Sequence, residues 1–145
     1  MPKAYSTRIP ITVESIDGDG YHIFTSLYIG KVKLRALIDT GASKSVLGKD
    51  AIDILKKVEL ISESSSQAKG IGEQMLETTV AKVKKLRIGS FELKDIYTGV
   101  LDLSHITQTY QSIGVKPFDM ILGGDILDHF QAVINYKKSW LKLRR

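Results

Sequence analysis

The segment KVKLRALID, residues 31–39, constrains the fold more than any other part of the chain. Val32, Leu34, Ala36 and Ile38 alternate with other residues and so line one face of an extended strand. Leu37 then puts an apolar group on the opposite face. A strand that begins half-buried and ends apolar on both sides belongs in the middle of a sheet, covered on both faces near its end. It stops at Asp39, followed directly by Thr40 and Gly41. A carboxylate at the mouth of a core strand is costly unless something compensates its charge.

The remaining elements are short and mostly extended. Residues 9–16 alternate loosely and read as a strand, and Asp17 to Gly20 (DGDG) read as a turn. That turn resembles the opening of a calcium loop, but the later acidic ligands are missing. Residues 21–30 form a second strand, turning at Gly30-Lys31 into the third. Ile52, Leu55 and Val58 at helical spacing predict a short helix over 49–58. A Ser-rich loop, 62–70, leads into long strands carrying Val80, Val83, Leu86 and Ile88, and then a strand over 91–103. Leu103, Ile106, Tyr110 and Ile113 predict a second short helix over 103–114. Residues 118–130 hold an apolar strand, two glycines and a helical turn, and the C-terminal stretch reads as a hairpin turning at Lys137-Lys138. With no repeat and no break in composition, the expectation is one mainly β domain over residues 1–145, a small barrel with one to three short helices.

Composition narrows the chemistry. At 43% hydrophobic and 26% charged, the 145 residues can build a core. No apolar run approaches the roughly 20 residues of a membrane helix, and MPKAYSTRIP lacks the apolar block of a signal peptide. The absence of cysteine excludes disulfides, thiolate catalysis and Cys-zinc sites, and fits a reducing, cytoplasmic setting. The net charge is +5, but the lysines and arginines are scattered apart from Lys56-Lys57, Lys84-Lys85 and a tail with Lys137, Lys138, Lys142, Arg144 and Arg145. This is the pattern of solvated strand ends and turns, so a nucleic-acid partner is not expected, and neither is a membrane. His22, His105 and His129 stand far apart in sequence, so no metal or other cofactor is expected. No G-x-S-x-G, P-loop, H-E-x-x-H or G-x-G-x-x-G motif occurs.

Asp-Thr-Gly remains. A carboxylate in a protected cleft can act as general base on water, a neighbouring threonine hydroxyl can brace its loop, and glycine admits a second backbone at close range. The tripeptide gains meaning from its surroundings: the apolar residues before it, Ala42-Ser43 after it, and an Ile-Leu-Gly triplet at 121–123. Three blocks in this order, ALIDTGASKSVL, the segment from Ala68 to Asp102, and DMILGGDILDHF, resemble the retropepsin-like aspartic proteases, the single-lobe relatives of pepsin. The middle block is most similar to the cellular Ddi-type members.

This resemblance implies a single-lobe acid-protease β-barrel with Asp39 as the catalytic carboxylate. Thr40 and Gly41 would support the active-site loop, Gly41 and Ala42 would line the cleft floor, and Gly70, Ile71 and Gly72 would lie in a flap over the substrate. Ile121, Leu122 and Gly123 would thread behind the loop. Two departures stand out: Gly124 replaces the arginine that anchors the final helix in retroviral members, and residues 103–117 form an insertion. Asp125 reads as the N-cap of that final helix, not as a second catalytic acid. Since the chain has one Asp-Thr-Gly, its mate is expected from a second copy, giving a homodimeric endopeptidase acting on peptides or unfolded protein. The alternative is a catalytically silent dimeric module for peptide binding or assembly that keeps the protease fold.

Overall fold

A computed structural model describes residues 5–15, 20–55, 58–63 and 78–145. Ten strands and three helices follow in the order β1 (Ser6–Ser15), β2 (Tyr21–Ile29), β3 (Val32–Ile38), β4 (Val46–Gly48), α1 (Lys49–Ile54), β5 (Val58–Glu63), β6 (Thr78–Ile88), β7 (Phe91–Leu101), α2 (Ser104–Ser112), β8 (Met120–Leu122), α3 (Gly124–His129), β9 (Val133–Asn135) and β10 (Trp140–Arg144). The expected strands and helices that fall on described residues are present at these places, but the expected 49–58 helix ends at Ile54 and Val58 opens β5, a strand not expected from the sequence. Asp17 to Asp19 of the expected turn and residues 64–70 of the expected Ser-rich loop lie outside the described residues.

The strands run β5-β6-β7-β4-β8-β3-β2-β1-β10-β9, and a further pairing of β6 with β2 closes six of them into a barrel. That seam is short: Tyr28 faces Arg87 and Ile29 faces Leu86. Most neighbours are antiparallel, but β8 runs parallel to β3, and β4 runs parallel to β7. β1 serves two sheets. Its second half, Ile11 to Ser15, pairs with β2, while Ser6 to Pro10 pair with β10 in the terminal β1–β10–β9 sheet.

Alternation decides what each strand buries. Leu34, Ala36 and Ile38 face the main core with Leu27, Leu47 and Leu122. Leu37 points the other way, into a second cluster with Phe24, Leu103, Val115 and Phe118. The two-sided end of β3 therefore has a physical cause: residues 103–118 fold back over the outside of the barrel and cover it. No residue of α2 is buried. Its expected apolar face is only partly used, because Ile106 and Ile113 stay 41% and 38% exposed while Tyr110 packs, its ring 5.6 Å from that of Phe118. The insertion is held chiefly by the residues flanking the helix, with Tyr110 joining them from the helix itself.

Gly89 turns β6 into β7 with a φ of +59°, a left-handed conformation that costs an L-residue about 1–2 kcal/mol. A Cβ there would also collide with the Thr7 side chain, whose Oγ1 accepts the Ser90 N–H at 3.0 Å. Gly89→Ala should therefore destabilise the fold by about 2 kcal/mol or more, read as a lower urea midpoint with an unchanged slope.

Candidate active site

Asp39 sits at the first position beyond β3, where the strand can no longer continue. Its N–H still donates to the Leu122 carbonyl at 3.0 Å, extending the β3–β8 pairing by one bond. The chain then bends: the Ala42 N–H donates to the Asp39 carbonyl at 3.2 Å, and the Gly41 N–H donates to Asp39 Oδ1 at 3.0 Å. The carboxylate is thereby oriented by its own loop. Asp39 and Ala42 are half-buried, whereas Thr40 and Gly41 are exposed. Within one chain the charge is thus less buried than the strand pattern suggests, because the loop ends at an open surface of the barrel. Gly70, Ile71 and Gly72 lie outside the described residues.

The loop is clamped from behind by β8 and α3. Gly123 has no room for a side chain, since a Cβ would lie 2.8 Å from both the Ala42 carbonyl oxygen and the Lys44 carbonyl carbon. This is the close backbone approach for which only glycine serves. The Gly124 N–H donates to the Ala42 carbonyl at 2.6 Å. Asp125 completes the clamp. Its carboxylate accepts the Ser45 N–H at 3.0 Å and the Ser45 hydroxyl at 2.7 Å, and that hydroxyl accepts the Gly123 N–H at 2.9 Å. Ser45 is fully buried.

These contacts correct one expectation and resolve another. Asp125 is not the N-cap of α3. Gly123 occupies that position without a side-chain cap bond, and Asp125 lies in the first turn, its carboxylate accepting from Ser45 across the loop and from the neighbouring Ile126 N–H at 2.9 Å. The anchor that an arginine at 124 would supply is replaced by a carboxylate one residue later. Ser45 was not singled out from the sequence. Its signal was the small polar residue between exposed Lys44 and half-buried Val46, at a place where an apolar residue would have extended β4.

Beside Asp39 lies a cleft walled by Tyr21, His22, Leu37, Tyr110, Ile134 and Tyr136. Tyr110 is delivered by α2, and its hydroxyl lies 3.3 Å from Nδ1 of His22. Burial pushes the Tyr110 phenol above its ordinary value near 10, and the negative charge of Asp39 adds to the effect. Beyond the other end of the loop, Lys44 and Val46 border a largely apolar cleft completed by Val80, Tyr97, Val100 and Leu101. A third depression, between Thr40 and the C-terminal hairpin, is lined by Leu127, Ala132 and Ile134. Among the described residues no group of three or more His, Asp or Glu could hold a metal ion, and no helix is long and apolar enough to cross a membrane.

Two outcomes follow from this geometry. Asp125→Ala strands the buried Ser45 N–H and hydroxyl and should cost about 2–4 kcal/mol, with Ser45→Ala costing less, both measured by urea denaturation. The phenol of Tyr110 holds its proton more tightly folded than unfolded. Its contribution to stability is complete below pH 10 and is lost as the pH climbs through the folded value. Tyr110→Phe should therefore flatten the alkaline fall in stability and remove one late-ionising phenol from an ultraviolet titration.

A family model described as aspartyl protease matches residues 25–126, a span that holds the Asp39 loop, the Gly123 clamp and Asp125. Among solved structures, a retropepsin-like aspartic protease from Rickettsia conorii is similar with a TM-score of 0.55 at 21% identity, over 95% of this chain and 87% of that one. The retroviral protease-like domain of Ddi1 from Leishmania major is similar with a TM-score of 0.55 at 17% identity, over 83% of this chain and 86% of that domain. These likenesses bear out the single-lobe retropepsin-like barrel. No curated protein matches the sequence. With the family model spanning more than half of its length, the chain belongs to the aspartyl proteases.

Proposed function

We propose that the chain is an aspartic endopeptidase that works as a homodimer, with one Asp39 from each copy sharing the activation of a water molecule. The observation that carries this reading is the Asp39 loop itself. Its carboxylate is oriented by the Gly41 N–H, backed by the Gly123–Asp125 clamp, and left at an open surface beside exposed Thr40 and Gly41. A loop braced this firmly and exposed on one side suits contact with its own symmetry mate across a two-fold axis. The depression lined by Leu127, Ala132 and Ile134 adjoins Thr40 and offers apolar surface for the same contact.

The chemistry requires the pair. Two carboxylates about 3 Å apart repel by roughly 5 kcal/mol at an effective dielectric near 20, some four pKa units. They therefore share one proton and titrate as a unit. The ionised member takes a proton from water while the protonated member donates to the peptide carbonyl, and the resulting tetrahedral species collapses with release of the amine. Thr40 and Gly41 support the loop. Gly41 and Ala42, with Gly70, Ile71 and Gly72 of the flap, hold an extended peptide as an added strand, its side chains falling into the clefts on either side of the loop. The substrate is a peptide or unfolded protein, the reaction needs no cofactor, and a cytoplasmic setting suits the cysteine-free composition.

Asp39→Asn should abolish cleavage of an unfolded protein substrate, by at least about 10³-fold, while circular dichroism and the sedimentation coefficient stay unchanged. Full activity in that variant rules out the mechanism. A stable dimer with no cleavage by the unmutated chain across mildly acidic to neutral pH selects the assembly-module reading.

A further inference from the structure

Residues 131–145 contain five lysines and arginines and no acidic residue, as many positive charges as the net +5 of the whole chain. In the terminal sheet these charges meet another from the opposite end of the sequence. Arg8 lies directly across from Lys142, and Ser6 across from Arg144. Thr7, Ile9, Leu141 and Leu143 turn into the core, so Arg8, Lys142 and Arg144 share the outward face. Like charges directly opposite one another across a sheet are destabilising. The ion pairs among the described residues are Arg35–Glu14, Lys82–Asp95 and Lys85–Glu92, so no described carboxylate relieves the three cations of this face.

The face is also built rigidly. The Arg8 guanidinium lies 4.6 Å from the centre of the Trp140 ring, and that of Arg144 lies 5.4 Å from the centre of the Tyr5 ring. Stacking of this kind holds a guanidinium in place and leaves its N–H fork free for an anion. Sheet geometry spaces the cations about 5 Å apart across strands and about 7 Å apart along β10. An extended polypeptide repeats its same-side groups at the same interval of about 7 Å.

We infer that the outward face of the β1–β10 ribbon, centred on Arg8, Lys142 and Arg144, is a docking surface for an acidic, extended polypeptide segment. The occupant follows from charge complementarity and from what the rings are doing. Nucleobases bind such surfaces by stacking on free aromatic faces, and here guanidiniums already lie over Trp140 and Tyr5. Half-exposed Val133, opposite Lys142, adds apolar contact suited to a polypeptide. Ile134, the next residue, borders the Asp39 cleft from the other face of β9, so a segment on this ribbon lies one strand's thickness from the proposed chemistry. As a device for recruiting acidic substrates the surface rests on the endopeptidase reading. As a binding surface it does not.

The test separates the two. Binding of a labelled peptide of alternating glutamate and valine is read by fluorescence anisotropy on the full chain carrying Asp39→Asn, where no cleavage is required. The expected result is saturable binding that weakens steeply with salt, as the screening length falls to about 8 Å at physiological ionic strength. The combined variant Arg8→Gln, Lys142→Gln, Arg144→Gln should bind at least tenfold more weakly. A control losing nearly the same charge elsewhere, Lys82→Gln with Lys85→Gln, should bind as before. Equal loss in both variants reduces the effect to net charge and overturns the proposal. So does tighter binding to a thymidine oligonucleotide or to phosphatidylserine vesicles than to the peptide. If peptide binding behaves as expected while the unmutated chain cleaves nothing, the docking surface stands and the endopeptidase reading fails.

Discussion

The contact between Asp125 and Ser45 joins the two ends of the fold that the Asp39 loop depends on. β3 delivers Asp39 and β4 leaves the loop, but neither strand touches the other, since β8 lies between them. Without a cross-tie the six residues from Asp39 to Lys44 would hang between two strands. The tie is made by a buried serine whose N–H and hydroxyl both donate to one carboxylate, while its oxygen accepts the Gly123 N–H. A carboxylate accepting several hydrogen bonds is a stronger anchor than a neutral acceptor. It also brings no second cation into a region where Lys44 is already exposed. The same role is open to an arginine in a related loop. Here the sign of the anchor is reversed, and the loop supplies the donors.

The 103–118 excursion has two consequences. It roofs the outer face of β3 with Phe24, Leu37, Leu103, Val115 and Phe118, which makes the strand carrying Asp39 buried on both sides and correspondingly stiff. It also brings Tyr110 to the edge of the Asp39 cleft, where the phenol meets His22. One insertion thus reinforces the strand that carries Asp39 and shapes the wall beside it.

Most of the architecture was legible because β3 announces itself: period-two alternation gives the strand, and Leu37 gives its second face. The Asp39 loop was legible for the same reason, as a carboxylate that stops an apolar strand. Two things were not. The partnership of Ser45 with Asp125 spans eighty residues and depends on the angle at which α3 leaves β8, which no local pattern encodes. The full cationic ribbon was not legible because its parts come from opposite ends of the chain. The sequence shows the basic tail from Lys137 to Arg145 with Trp140 inside it, but only strand pairing sets Arg8 against Trp140 and Lys142. Periodicity reports which face a side chain takes, not which distant strand will lie beside it.

The closure between β2 and β6 rests on two residue pairs, whereas β6 and β7 match along nearly their whole length. A seam this short opens more readily than the β6–β7 pairing, because fewer hydrogen bonds must break together. The Arg87 guanidinium lies 4.4 Å from the centre of the Tyr28 ring at that very junction, on the solvent side of it. The long β6–β7 ribbon is therefore fastened at its base like a hinged panel, and amide exchange at Tyr28 and Ile29 would report its breathing independently of the rigid half of the molecule that carries Asp39.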